Sequence, residues 1–138
     1  MLQPGKRKYP KEFRGKMKGI DYRGSTIIYG DYGLQSIDRG WIKANEIEAA
    51  RKAIVNSTGR KGKLWIKIFP FKPYTKKSDE VVRGGGKGPV AYYVSVVKPG
   101  RVLFEIGGLD SEVALKALRL AASKLSVRTK IITRTHSN

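Results

Sequence analysis

The chain has 138 residues, with 29 Lys or Arg against 11 Asp or Glu, so its formal net charge is +18. Self-repulsion on this scale predicts a polyanionic partner, with nucleic acid the first candidate and an anionic membrane the second. The absence of cysteine excludes disulfides, zinc–thiolate sites and cysteine nucleophiles. No apolar run approaches the roughly 18 residues of a membrane span, and Met1–Pro4 has no apolar signal core. We therefore expect neither a membrane span nor a secretory leader.

Residues 1–24 predict an extended basic arm. They show neither helical nor strand periodicity, are interrupted by Gly and Pro, and contain few acidic residues. Interleaved aromatic residues favour contacts with bases or with a core. A solvated, disordered tail is the alternative. The candidate nucleic-acid-binding residues of the arm are Lys6, Arg7, Lys8, Tyr9, Lys11, Arg14, Lys16, Lys18 and Arg23.

Two short strands are predicted after the arm. Thr26–Tyr29 is rich in β-forming residues, Gly30-Asp31 marks a turn, and Tyr32–Ile37 continues in extended conformation. We therefore expect the core to begin with strands.

The first helix is predicted over residues 45–56. Apolar residues recur there at the spacing of one helical face, namely Ile47, Ala50 and Ile54. Asn45 with Glu48 three residues later has the spacing of a capping box. Gly59 is expected to end the helix.

A strand over Leu64–Phe69 and a long loop follow. Apolar residues of this strand alternate with Trp65 and Lys67, which therefore share the opposite face, and Pro70 ends it. Residues 70–91 combine Pro, Gly and basic residues without periodicity. A loop this long is usually functional or disordered.

The next predicted elements are a hairpin and a second helix. Tyr92–Val97 and Arg101–Ile106 are β-rich and are joined at Pro99-Gly100, a pair typical of tight turns. Asp110 can cap a helix that runs to about Leu125, with an Ala- and Leu-rich face turned inward.

Val127–Thr133 is the last predicted strand, and Arg128 and Lys130 make one of its faces basic. We divide the chain into the arm, a domain over residues 25–134 and a frayed tail over residues 135–138. The order of elements indicates a single α+β domain with a mixed or antiparallel sheet and two helices.

The sharpest motif lies in the long loop and consists of Arg83, Gly84, Gly85, Gly86, Lys87 and Gly88. Glycines let the backbone approach a phosphate or base closely, and exposed N–H groups can hold an anion. A P-loop is excluded, because Lys87 is followed by Gly88 and no Gly lies five residues before Gly86. We interpret the motif as a loop ordered by RNA; a flexible surface loop is the alternative.

A second basic motif leads into the strand that contains Trp65. Cations beside an edge aromatic suit a phosphate backbone with one stacking contact. The alternative is a half-buried strand with a solvated lead-in, and both can hold, since Trp65 can pack while the cations bind. The candidate nucleic-acid-binding residues outside the arm are Arg60, Lys61, Lys63, Lys67, Arg128 and Lys130.

The sequence offers little for catalysis. His136 is the only histidine and lies in the predicted tail, so no Ser, His and Asp set is available for nucleophilic catalysis. Glu46 and Glu48 suit the start of a helix through its dipole, and the remaining carboxylates are too scattered for a metal site. We expect no enzymatic activity, no cofactor and no metal.

Several short phrases occur in an order known from one family. They are Arg14–Gly19, Tyr32–Gln35, Ile47–Arg51, Gly62–Pro70, Val97–Gly100, Phe104-Glu105, Leu120–Leu125 and Arg128–Lys130. In them the chain resembles, over nearly its whole length, the bacterial-type large-subunit ribosomal protein family numbered sixteen.

The resemblance implies an α+β domain of the hammerhead type, seated on large-subunit rRNA near the A-site tRNA and the entry to the peptidyl-transferase region. It implies that the arm threads rRNA, that residues 83–88 point toward the tRNA acceptor arm, and that other large-subunit proteins are neighbours. The family usually reads Arg-Met-Gly-x-Gly-Lys-Gly at this loop. The present sequence lacks the Met and is one residue shorter between Arg83 and Lys87, which bears on the loop's reach and on the modification of Arg83 common in relatives.

The arm also departs from the family's pattern at Gly5 and Pro10, which indicates a divergent lineage. The expected location is a ribosome, in the bacterial cytoplasm or inside an organelle (plastid or mitochondrion).

Two other functional classes remain as alternatives to a ribosomal protein. A nucleotide- or RNA-modifying enzyme would show saturable nucleotide binding that depends on Lys87. A membrane-surface protein would need a basic amphipathic helix with bulky apolar residues, whereas the predicted helix at 110–125 is Ala-rich and weakly basic.

Overall fold

The computed structural model describes residues 24–75 and 90–134. The predictions made for the arm up to Arg23, for residues 76–89 with their glycine motif and for the tail lie outside the described residues. The elements in chain order are β1 (Tyr32–Ser36), β2 (Gly40–Lys43), α1 (Ala44–Thr58), β3 (Lys63–Ile66), β4 (Lys72–Thr75), β5 (Val90–Val97), β6 (Val102–Gly107), α2 (Ser111–Ala122) and β7 (Thr129–Thr133). The predicted α+β class is confirmed.

The described strands form two antiparallel sheets. Sheet A has the order β3-β6-β1-β7 and sheet B the order β2-β5-β4. The predicted hairpin between Tyr92–Val97 and Arg101–Ile106 is therefore wrong, because β5 lies in sheet B and β6 in sheet A. Both edges of β6 are occupied, by β1 and β3. Gly100, with φ +94°, turns the chain from one sheet to the other.

Two strands were missed, and both are only four residues long. β2 has the sequence Gly-Trp-Ile-Lys, which is too short to show alternation. β4 lies inside the segment predicted as a loop and contains Pro73, which cannot donate to a ladder. Its position at the edge of sheet B makes that proline tolerable. Both short strands therefore form because each pairs with the longer strand β5.

Helix α1 follows its predicted apolar stripe but begins one residue earlier than predicted and has a different cap. The expected capping pair of Asn45 and Glu48 is wrong. The backbone N–H of Lys43 donates to Glu46 Oε2 at 2.8 Å, while Glu48 is paired with Arg51. At the other end Gly59, with φ +62°, ends the helix as predicted.

The core lies where the two helices pack against each other and against the sheets, α1 on β2 and β5 of sheet B and α2 on β1 and β7 of sheet A. The predicted stripe of α1 is buried, and α2 buries Ala114, Ala117, Leu118 and Ala121 after Asp110 at its N-cap position. Phe104 of β6 and Leu34 of β1 are fully buried against them, and burying each such side chain contributes about 1.5–3 kcal/mol. This packing sets α2 against β7, one edge strand of sheet A. No helix in the described ranges is long and apolar enough to cross a membrane.

Candidate nucleic-acid interface

The described candidate residues lie at opposite edges of sheet A. Arg60 and Lys61 precede β3, Lys63 begins it and Lys67 follows it. Arg128 precedes β7 and Lys130 lies within it. Since β3 and β7 are the two outer strands, the fold separates these cations into two basic edges instead of bringing them together.

The connection from α1 to β3, here called the 59–63 loop, has a backbone held in an uncommon conformation. Gly59, Arg60 and Gly62 have φ of +62°, +65° and +73°. Backbone hydrogen bonds tie the loop to the last turn of α1, from the Arg60 N–H to the Val55 carbonyl at 3.0 Å and from the Lys61 N–H to the Thr58 carbonyl at 3.2 Å. A non-glycine residue with positive φ persists only where its surroundings enforce it. The loop therefore presents its side chains from a fixed frame.

The cations of the 59–63 loop, Arg60, Lys61 and Lys63, are all exposed. Among the described residues, no carboxylate forms an ion pair with them. Their position just past the C-terminus of α1 is favoured by the helix dipole. The sequence prediction of a basic lead-in to β3 is thus matched by an accessible cationic loop.

Trp65 in β3 and Lys67 just after it both contact Tyr29, so they lie on the same side of the chain as predicted. The strand predicted over Leu64–Phe69 is shorter than expected, because β3 ends at Ile66. The Tyr29 and Trp65 rings are stacked with centroids 5.9 Å apart, and Lys67 Nζ lies 4.3 Å from the Tyr29 centroid. The same Nζ is 3.6 Å from Glu105 Oε2. Trp65 therefore packs within the protein, and the charge of Lys67 is used there as well.

Glu105 is the functional side chain that the sequence analysis missed. It is fully buried in β6, and its Oε1 accepts the backbone N–H groups of Ile28, Tyr29 and Gly30 at 3.1, 2.7 and 2.9 Å. The strand predicted over residues 26–29 is wrong for this reason: the chain bends around a carboxylate instead of pairing with a strand. One signal was present, since a glutamate within an otherwise apolar, buried strand needs partners.

Arg128 is exposed, but an intramolecular partner holds its guanidinium. Its Nη2 donates to Asp38 Oδ1 at 2.8 Å and its Nε to Asp38 Oδ2 at 3.0 Å. These side-chain hydrogen bonds from Arg128 hold the pKa of Asp38 below its ordinary value. Lys130 is exposed, and no described carboxylate forms an ion pair with it. At this edge Lys130 is thus the more available cation.

Sheet B carries two cations that were not predicted as functional. Lys43 Nζ lies 4.8 Å from the Tyr92 centroid, and Lys72 Nζ lies 4.9 Å from the Trp41 centroid. Lys72 is only 9% exposed, so its contact serves mainly to stabilise the sheet. Their signal in the sequence is weak, because each lies on one of the short strands.

These features define a class of protein. The described residues contain no group of three or more His, Cys, Asp or Glu side chains that could hold a metal. A basic α+β domain that displays cations on a fixed loop and at a sheet edge is typical of structural proteins of ribonucleoprotein particles.

Two comparisons give the family. The family model described as "Ribosomal protein L16p/L10e" matches residues 4–132. A curated bacterial relative, "Large ribosomal subunit protein uL16" of Fervidobacterium nodosum, is 52% identical over 136 residues, which covers 99% of this chain and 96% of the relative. The chain therefore belongs to the L16p/L10e family of ribosomal proteins.

Family membership confirms the resemblance noted in the sequence. The chain is a structural constituent of the large ribosomal subunit and not an enzyme. Its place is the ribosome, in association with rRNA and other ribosomal proteins.

Proposed function

We propose that the chain binds large-subunit rRNA through the arm, the 59–63 loop and the exposed face of β7, and presents residues 83–88 to the acceptor arm of A-site tRNA near the peptidyl-transferase region. In this proposal the protein neutralises phosphates and holds rRNA segments in place. The bacterial relative favours a bacterial cytoplasmic ribosome over one inside an organelle.

The observation that carries the proposal is the 59–63 loop. Its cations are exposed, and no described carboxylate is paired with them. Because the backbone that bears them is already fixed, binding a phosphate chain costs little ordering of the loop. Cations at phosphates also release condensed counterions, which favours binding.

The tRNA part of the proposal is supported by the strands that flank the glycine motif. Thr75 of β4 pairs with Val90 of β5, so the two residues that flank the segment 76–89 lie side by side in sheet B. Arg83 and Lys87 fall in the middle of that segment of sequence. Such a position suits a segment that reaches away from the domain toward a second RNA.

The rRNA proposal is tested by the salt dependence of binding between the full chain and a large-subunit rRNA transcript. If six to ten phosphates are contacted, affinity falls roughly 10³- to 10⁵-fold between 50 and 200 mM salt, by analogy with duplex DNA. Replacing Lys63 by Ala lowers the slope of log affinity against log salt by about one. Lys124→Ala, at an exposed position just after α2, is the matched control and leaves the slope unchanged. An affinity almost independent of salt contradicts the proposal.

The role of the arm is tested by deleting residues 1–23. Gly24 is kept because its carbonyl accepts the Val102 N–H at 2.7 Å. We expect the circular-dichroism spectrum of the domain to persist while incorporation into large subunits weakens. Loss of the folded spectrum, or unchanged incorporation, would count against an arm that acts mainly on RNA.

A further inference from the structure

A cavity of about 510 Å³ lies between the last turns of α1, the 59–63 loop and the corner that follows β6. This size is typical of sites that hold a small organic group, which range over about 300–1,000 Å³. The cavity is distinct from the β7 edge, which lies on the opposite side of sheet A.

The floor of the cavity is apolar. It is formed by Ile54 and Ile106, which are buried, and by Val55, Leu64 and Leu109, which are half-buried and therefore still have apolar surface to cover. Phosphates and sugars gain nothing from such a floor, whereas a flat aromatic ring does.

The rim of the cavity is cationic. Arg60, Lys61 and Lys63 line it together with Arg51, whose charge is paired with Glu48, and no lining residue is acidic. The groove on the other side of the 59–63 loop differs, because Asp31 and Asp110 line it. Lys61 lines both grooves, so the loop separates a side without carboxylates from one where two carboxylates oppose a single lysine.

The 59–63 loop, which lies between the cavity and the acidic groove, is rigid. Gly62 has φ +73°, and a Cβ added there would lie 2.6 Å from the carbonyl oxygen of Gly107 and 2.6 Å from Leu109 Cγ. The loop therefore packs directly on the corner after β6. Together with the hydrogen bonds to α1, this contact keeps the cavity open in the free domain.

We propose that this cavity receives one unstacked nucleotide of RNA, with its base on the apolar floor and its flanking phosphates at the cationic rim. The inference rests on the proposed function and deepens it, because it replaces a purely electrostatic contact at this loop by recognition of a single-stranded position. Single-stranded loops and bulges offer such splayed bases, whereas a paired helix does not. An acidic peptide fits the rim but would leave the shape of the floor unexplained.

The test is methyl and amide NMR of the full chain with two probes of equal charge, a hexamer of adenosine nucleotides and a hexamer of abasic spacers. A base on the floor shifts the methyl signals of Val55, Leu64 and Leu109 upfield through its ring current. We expect these shifts with the adenosine hexamer only, while the amides of residues 60–63 shift with both. The adenosine hexamer is expected to bind about tenfold more tightly.

The outcomes separate this inference from the proposed function. Shifts of the loop amides without methyl shifts overturn the nucleotide site but leave rRNA binding in place. No shift of the loop amides by either hexamer at low salt removes both. Equal methyl perturbation by a glutamate hexapeptide overturns the nucleotide site in favour of an acidic protein segment.

A variant gives a second test. Val55→Phe fills the cavity from the last turn of α1 and is expected to reduce the affinity for the adenosine hexamer about tenfold without changing that for the abasic hexamer. Val113→Phe, in the neighbouring acidic groove, is the control and should change neither. Unchanged adenosine binding by a folded Val55→Phe protein contradicts the proposal.

Discussion

Glu105→Ala should be among the most destabilising single changes in the described domain. The side chain is fully buried, accepts three backbone N–H groups from residues 28–30, and lies 3.6 Å from Lys67 Nζ. Its removal leaves three backbone donors without their acceptor and the Lys67 ammonium group without its counter-charge. Breaking a buried charged pair costs about 3–5 kcal/mol, and each lost hydrogen bond to a charged group about 1.5–3 kcal/mol, although the two overlap.

We therefore expect a loss of about 3–5 kcal/mol in the free energy of unfolding, measured by urea denaturation. Glu112→Ala is the matched control, because that carboxylate is exposed in the first turn of α2 and its loss costs at most about 1 kcal/mol. Glu105→Gln should fall between them, since its amide oxygen can still accept N–H groups but its NH₂ would face Lys67. Equal costs for the two alanine variants would refute the anchoring role of Glu105.

Two further predictions concern the loops and edges of sheet A. Gly59→Ala should lower the free energy of unfolding by about 1–2 kcal/mol, because alanine is strained in the left-handed conformation. No steric clash adds to this loss, since an added Cβ would meet open space. Gly62→Ala should lower the stability more than Gly59→Ala, because its Cβ also meets a backbone carbonyl at 2.6 Å. Thermal unfolding of the two variants measures the difference. For Asp38, the pKa is lowered by Arg128, so the contribution of the pair to stability is present above the ordinary carboxyl range and is lost as pH falls through the lowered pKa. Arg128→Ala should raise the Asp38 pKa toward its ordinary value in a carboxyl NMR titration, and an unchanged value would contradict the geometry.

What the sequence predicted well is local. The apolar stripe of α1, its end at Gly59 and the start of α2 after Asp110 depend on residues within a few positions of each other, and all are found in the structure. Trp65 and Lys67, two positions apart in an extended segment, likewise lie on one side, where both contact Tyr29.

What the sequence did not predict is set by distant partners. Glu105 lies more than 70 positions from the bend it holds, so nothing near residues 26–29 marks that segment as other than a strand. The pair Pro99-Gly100 does mark a turn, but a turn signal does not say whether the strands beside it pair. That choice followed from β1 and β3, which occupy both edges of β6.

The candidate interface shows the same difference between what local sequence predicts and what distant contacts decide. Composition and spacing identified the 59–63 loop as cationic, but only the fold shows which of the predicted cations are already used. Lys67 is held by Glu105 and Tyr29, and Arg128 by Asp38, whereas the cations of the 59–63 loop have no such partner among the described residues.

Five of the seven carboxylates in the described residues bond to groups of the domain itself. Asp31 accepts the Gly108 N–H, Glu46 accepts the Lys43 N–H, and Glu105 accepts the N–H groups of residues 28–30, while Asp38 and Glu48 each pair with an arginine. Asp110 and Glu112 lie exposed at the start of α2. The surplus of positive charge is therefore left on loops and edges, where it destabilises the free protein by repulsion and attracts phosphate. Salt screens both effects, so raising it should stabilise the free chain while it weakens RNA binding. Both responses depend on exposed cations, since cations already neutralised inside the fold would contribute to neither. A free chain whose stability does not rise with salt would contradict this account.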